Sequence, residues 1–196
     1  NSFVITWSSD PQDGSSSGVY GQRYDSTGST AGSEFQVNTY ETGYQLSPSV
    51  AALSNGGFVV VGQFSRYPVP QDDGSQVWQP DYIARIYDSE GNVVSEIPET
   101  QVFTLEGVGP NHGIEYPVDV AAVDGGFVIS TAELPGTTPS EWGNAGFSSQ
   151  GTDVVFQRFD LLGNEVGGEI SVSAVCRLVK HSVCCVWICS LLSRRL

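Results

Sequence analysis

Three short phrases recur along this chain, in the same order each time. The first is Gly56-Gly57-Phe58-Val59, repeated at Gly125-Gly126-Phe127-Val128 and in clipped form at Asn1-Ser2-Phe3-Val4. The second is Gln22-Arg23-Tyr24-Asp25, with Ala84-Arg85-Ile86-Tyr87-Asp88 and Gln157-Arg158-Phe159-Asp160 as its copies. The third is Ser33-Glu34-Phe35-Gln36-Val37, echoed by Ser95-Glu96-Ile97 and Gly168-Glu169-Ile170-Ser171-Val172. A fourth phrase, Pro48-Ser49-Val50-Ala51-Ala52-Leu53, returns at Pro117 to Val123. Self-similarity at a spacing of roughly 50 to 70 residues marks a repeat architecture, in which each unit buries its apolar face only against its neighbours. It speaks to the fold far more than to the activity.

Each phrase reads as a strand. Val50 to Leu53 and Phe58 to Val61 flank Ser54-Asn55-Gly56-Gly57, a hairpin with an Asn-Gly turn. Ile83 to Tyr87 and Val93-Val94 flank Asp88-Ser89-Glu90-Gly91-Asn92, with equivalent turns at Asp25 to Gly28 and Asp160 to Asn164. No segment sustains a helical period. The unit is four short strands, A to D, and the expected fold class is all-β: repeated four-stranded antiparallel blades forming part of a β-propeller. Ala51-Ala52 and Ala121-Ala122 suit an innermost strand, where side chains must be small. Phe58 to Val61 is continuously apolar, as expected of a strand covered on both faces. A β-sandwich is the alternative.

On this reading residues 1–175 form the repeat region: a partial blade over about 1–47, a blade with long loops over 48–116, and a further blade over 117–175. A closed propeller needs at least about four blades. The chain has no methionine and opens inside a strand phrase, so it reads as a piece of a longer protein, one whose further repeats are missing or whose copies assemble.

The formal net charge is −14, and every Asp and Glu precedes Cys176. Such a surface repels nucleic acid and anionic membrane and attracts cations. All four cysteines (Cys176, Cys184, Cys185, Cys189) lie in the tail 176–196, with Arg177, Lys180, Arg194 and Arg195. They lack zinc-ligand spacing. The tail departs from the repeat in charge, cysteine and pattern together, so it reads as foreign to the fold. Its apolar stretch, Val183 to Leu192, is about half the ~20 residues of a membrane span, so no transmembrane segment is expected.

Tight turns join A to B and C to D, so the B–C and D–A connections lie at the opposite end of each unit. Those connections vary in length and content, and binding residues favour loops on a rigid scaffold. Two of them carry closely spaced carboxylates beside a glycine: Asp10 and Asp13 before Gly14, and Asp72 and Asp73 before Gly74. This arrangement can wrap oxygens around Ca²⁺, although the full calcium-loop pattern is absent. The same residues are also ordinary turn formers. Tyr44, Tyr67, Trp78, His112, Tyr116 and Trp142 share these segments. Five of them, Tyr67, Trp78, His112, Tyr116 and Trp142, are the candidate ligand-binding set, able to stack on sugar rings. The other reading is that they cover the ends of the core.

Arg23, Arg85 and Arg158 recur at one place in the second phrase and are expected to pair with Glu34, Glu96 and Glu169 as structural ion pairs. Catalysis has little support. There is no Gly-x-Ser-x-Gly elbow, and the chain has only 2 histidines, His112 and His181. Zinc and phosphate-loop motifs are absent. The Asp-x-x-Gly hairpins look like sialidase Asp-boxes but lack the preceding Ser and the following Trp.

The phrases Phe3 to Trp7, Gln12 to Ser15, Gly18 to Asp25, Gly32 to Asn38 and Pro48 to Leu53 together resemble the tandem repeats of very large secreted bacterial proteins of the haemolysin-type calcium-binding or adhesin-like kind. The likeness spans most of residues 1–175 and excludes the tail. It implies an extracellular or cell-surface, non-catalytic module that binds a glycan or protein, alongside further repeats of its own chain. The readings of a carbohydrate-active propeller enzyme and of a structural spacer stay open.

Overall fold

The fold is that of a computed structural model, which describes residues 2–14, 16–39, 43–65, 69–70, 76–77, 80–97, 118–133 and 153–172. These residues contain strands and turns and no helix. The first sheet has three strands in the order β1 (Phe3–Ser9), β2 (Gly18–Tyr24) and β3 (Phe35–Gln36). The second has four: β4 (Tyr44–Ala52), β5 (Phe58–Ser65), β8 (Pro80–Tyr87) and β9 (Val93–Ile97). Between its middle strands lies the small ribbon of β6 (Val69–Pro70) and β7 (Gln76–Val77). The third sheet is β10 (Asp119–Val123), β11 (Gly126–Glu133), β12 (Asp153–Asp160) and β13 (Ile170–Val172). Every neighbouring pair is antiparallel, so each sheet is a meander.

The repeated phrases occupy equivalent places. Phe3 lies opposite Tyr24, Phe58 opposite Tyr87, and Phe127 opposite Phe159. Each pair stacks, with ring centroids 5.1, 4.6 and 5.4 Å apart. Aromatic pairs of this kind add about 0.5–1.5 kcal/mol beyond the area they bury. The second glycine of each Gly-Gly pair makes this possible. A Cβ on Gly57 would run into the Tyr87 carbonyl oxygen, and one on Gly126 into that of Phe159. Glycine lets the two strands meet at the point where the aromatic rings stack.

Strand alternation gives the second sheet two buried faces. Phe58, Val60 and Tyr87 face the first sheet and pack with Val19 and Val37. Val59, Val61, Ala84, Ile86 and Ile97 face the third and pack with Val120, Phe127, Ile129 and Phe159. Val59, Val60 and Val61 are fully buried, which accounts for their unbroken apolar run. The described residues thus form three larger sheets stacked face to face, with the middle one covered on both sides. None of them closes into a barrel.

Polar seams fix how the sheets meet. β4 begins at Tyr44, ahead of the expected Pro48, so the boundary drawn at 47/48 falls inside a strand. A bulge separates Leu46 from Ser49, with Ser47 at φ 53°. Before the bulge, Gln45 N–H donates to the Ser17 carbonyl at 3.0 Å. The fully buried Gln45 also accepts from Asn38, whose own oxygen accepts from Val19 N–H at 2.8 Å. Beyond the bulge, Ser49 Oγ donates to Asp119 of β10 at 2.6 Å. One strand therefore ties the first sheet to the second and the second to the third.

Two expectations need correction. The Asn-Gly turn is a three-residue loop: Gly56 N–H donates to Leu53 O, and only Gly56, at φ 87°, is left-handed. Asn55 instead accepts from Gly57 N–H through its side chain. Nor do the three arginines share one register. Arg23 lies opposite Val4 and Arg158 opposite Val128, but the residue opposite Val59 is Ile86. Arg85 takes the next position, that of Gln22 and Gln157. A shift of one residue in a strand moves a side chain to the other face, and Arg85 is accordingly buried.

Candidate functional site

The tight turns gather at one end of the stack. Asp25, Asp88 and Asp160 each begin a C–D turn, and each Oδ1 accepts from the backbone N–H groups two and four residues on, at 2.8–3.0 Å. Hydrogen bonding holds all three carboxyls below their ordinary range; the largest contributions come from the side chains of Thr27, Asn92 and Asn164 respectively. These aspartates build turns, each through its Oδ1.

The other polar residues of the phrases are also engaged. Gln22 Nε2 donates to the carbonyls of Arg23 and Gly32 at 2.8 and 3.2 Å. Gln157 donates to those of Arg158 and Gly167 at 2.9 and 3.5 Å. This brace across the C–D turn is the part of the second phrase that sequence reasoning missed. Its signal in the sequence is the Gln that precedes Arg in two of the three copies, Gln22 and Gln157.

Where Arg85 replaces that Gln, it forms the expected ion pair with Glu96, its direct cross-strand partner, with Arg85 Nε donating at 3.0 Å. Beside it, burial pushes the Tyr87 phenol up to about 12, with Arg85 opposing the shift. The expected Arg23–Glu34 pair is replaced. Arg23 donates to the Ser89 carbonyl in the next sheet at 2.6 Å, and Glu34 accepts from Gln12. Arg158 donates to the Asp124 carbonyl at 2.8 Å.

At the opposite end, β1 leads to β2 through residues 10–17, as the sequence implied. Gly14 N–H closes a turn onto Pro11 O at 3.1 Å, with Gly14 at φ 89°. Asp10 is exposed, whereas Asp13 is half-buried, its Oδ2 packed 3.0 Å from where a Gly18 Cβ would stand. Among the described residues no three His, Cys, Asp or Glu side chains gather to hold a metal ion. A cation at this turn would draw its remaining ligands from backbone carbonyls or water.

Asp72 and Asp73 lie between β6 and β7, outside the described residues, as do Tyr67, Trp78, His112, Tyr116, Trp142 and the whole tail 176–196. Tyr44 is in β4 rather than in a loop, and is half exposed. The strand ends at Ser65 and Pro80, Ile97 and Asp119, and Glu133 and Asp153 lie on the side away from the tight turns. Among the described residues, no helix is long and apolar enough to cross a membrane. The chain matches no family model, and no curated protein is similar enough to it to count as a relative.

Proposed function

We propose that this chain is a non-catalytic repeat module of an extracellular or cell-surface protein, its three sheets acting as propeller-type blades. One observation carries the reading. The polar side chains that recur in the phrases serve turns and sheet contacts: the aspartates cap turns, the glutamines brace them, and Arg85 pairs with Glu96. Repetition here maintains a scaffold, which leaves recognition to the long segments at the other end.

Those segments hold the proposed ligand residues Tyr67, Trp78, His112, Tyr116 and Trp142. Aromatic rings beside carboxylates suit a glycan, with apolar sugar faces on the rings and hydroxyls on the acids. Calcium at Asp10 and Asp13, and at Asp72 and Asp73, is the proposed cofactor; it would relieve the charge repulsion of a −14 chain. The full chain on a glycan array, followed by a hydrolysis assay on each sugar bound, tests the reading. Binding without turnover, weakened by Trp78→Ala or Trp142→Ala, supports it. Turnover abolished by replacing a loop carboxylate would make the chain an enzyme, and a chain that binds nothing would be a spacer.

A further inference from the structure

Among the described residues the contact between sheets is made twice, and each of its halves is left open once more, at opposite ends of the stack. In the first contact the platform is the Phe58–Tyr87 stack, and Phe35 of the preceding sheet lies on both rings, at 6.1 and 5.2 Å. In the second the platform is Phe127–Phe159, and Ile97 holds the place of Phe35 in the same buried cluster. A third platform, Phe3–Tyr24, stacks with its rings 12° from parallel, yet Phe3 is 49% and Ile5 47% exposed. A third knob, Ile170, lies opposite Phe156 as Phe35 lies opposite Gly21, and it is 50% exposed.

The turn glycines repeat the pattern. A Cβ on Gly91 would meet Arg23 Nε of the preceding sheet at 2.8 Å, and one on Gly163 would meet Ile97 Cγ1 at 2.9 Å. The equivalent Gly28 has nothing within 4 Å of that position. Arg158, at the place of Arg23, is exposed at the other end of the stack.

We propose that a second copy of this chain docks head-to-tail, the third sheet of one copy covering the first sheet of the next. Ile170 seats on the Phe3–Tyr24 stack, and Arg158 reaches over the turn at Gly28 to donate to the Ser26 carbonyl, as Arg23 does to Ser89. The occupant is a copy of the chain because the two open faces are the halves of a contact this chain already makes. The inference rests on the stacked sheets and is independent of any ligand at the long segments. The two faces differ, so the contact is heterologous: it gives a ring if the rotation closes and an open stack if it does not.

Sedimentation velocity of the full chain, from micromolar to millimolar and in reductant because of its 4 cysteines, reads the outcome. The wild type is expected to associate, either as a closed ring, which two copies of three blades each already suffice to form, or as an open stack that grows with concentration. Phe3→Asp and Ile170→Asp, each checked for folding by circular dichroism, are expected to weaken association by about tenfold or more. Mixed together, they retain one intact pair of faces and are expected to give a one-to-one dimer that grows no further. Val94→Asp, at an exposed position on β9 of the second sheet, is expected to leave association unchanged. If either end variant fails to fold, Ile5→Asp and Arg158→Glu repeat the complementation. A wild type that stays monomeric at millimolar concentration, folded end variants that do not combine, or dispersal by Val94→Asp to the same degree would overturn the proposal.

Discussion

Phe35 and Tyr87 come from different sheets, yet their rings meet at 5.2 Å, tilted by 53°. Tyr87 also lies flat against Phe58, 4.6 Å away and 9° from parallel. At both contacts the later sheet presents a stacked aromatic pair and the earlier sheet an apolar knob, Phe35 or Ile97. The repeated phrases encode this alternation.

The same substitution should therefore cost different amounts at equivalent positions. Phe58→Ala empties a covered platform and should lose about 3–5 kcal/mol, the usual range for a buried Phe. Phe3→Ala removes a ring that is 49% exposed and should lose about 1 kcal/mol. Urea denaturation at one pH measures both. Equal losses would mean that the first sheet does not cover Phe58.

The Gly-Gly pairs make a second test. Gly126→Ala drives a methyl group into the Phe159 carbonyl oxygen and should cost about 1–3 kcal/mol or more through forced backbone movement. Gly168→Ala meets no atom within 4 Å and should fall within about 0.5 kcal/mol of the wild type.

The strands were legible in the sequence because the repeated phrases coincide with them: Phe58, Tyr87 and Asp88 mark the same points as Phe127, Phe159 and Asp160. The stacking of sheets was legible from the unbroken run Phe58 to Val61. The facing of Arg85 is missed when the phrases are aligned on their Arg; aligned on the turn aspartate, Arg85 stands three residues before Asp88 whereas Arg23 and Arg158 stand two before Asp25 and Asp160, which is the one-residue offset of the register. The start of β4 at Tyr44 was hidden by Pro48, which reads as a strand boundary but sits beside a bulge. The candidate aromatic residues lie in segments that do not repeat, where there is no second copy to constrain them, while the candidate aspartates lie in or next to a Pro-Gln-Asp…Gly-Ser phrase that occurs at Pro11 to Ser15 and again at Pro70 to Ser75. Of these candidates, only Asp10 and Asp13 fall among the described residues.

Arg85 and Glu96 give a prediction about chemistry under burial. Glu96→Gln leaves the buried guanidinium without its carboxylate and should cost about 2–3 kcal/mol. That is below the ~3–5 of a fully buried pair, because the Glu96 side chain keeps 39% exposure. Arg85→Gln restores the residue found at this position in the other two repeats. The double variant Arg85→Gln/Glu96→Gln should therefore be more stable than Glu96→Gln alone, a non-additivity that a double-mutant cycle reads directly.

Acid should weaken the fold through its turns. The carboxyls of Asp25, Asp88 and Asp160 are held below the ordinary value of 3.8 in the folded chain. Their stabilisation is complete above that value and disappears as pH falls through the lower folded values, since the unfolded chain takes up protons first. Asp88→Asn keeps an oxygen for the turn but removes the titration. Its urea midpoint should fall less than that of the wild type between about pH 6 and pH 3. Parallel curves would show that the turn carboxylate does not couple to folding.

The stacking of sheets itself is tested most directly by a double-mutant cycle on Phe35 and Tyr87, using Phe35→Ala, Tyr87→Ala and the double variant in urea denaturation. The two residues belong to different sheets and are joined only through their rings, so the cycle isolates the contact between sheets from the packing within each. The expected coupling is about 0.5–1.5 kcal/mol, the range for aromatic pairs. Losses that add to within about 0.3 kcal/mol would mean the rings do not meet, and would contradict the stacked-sheet fold.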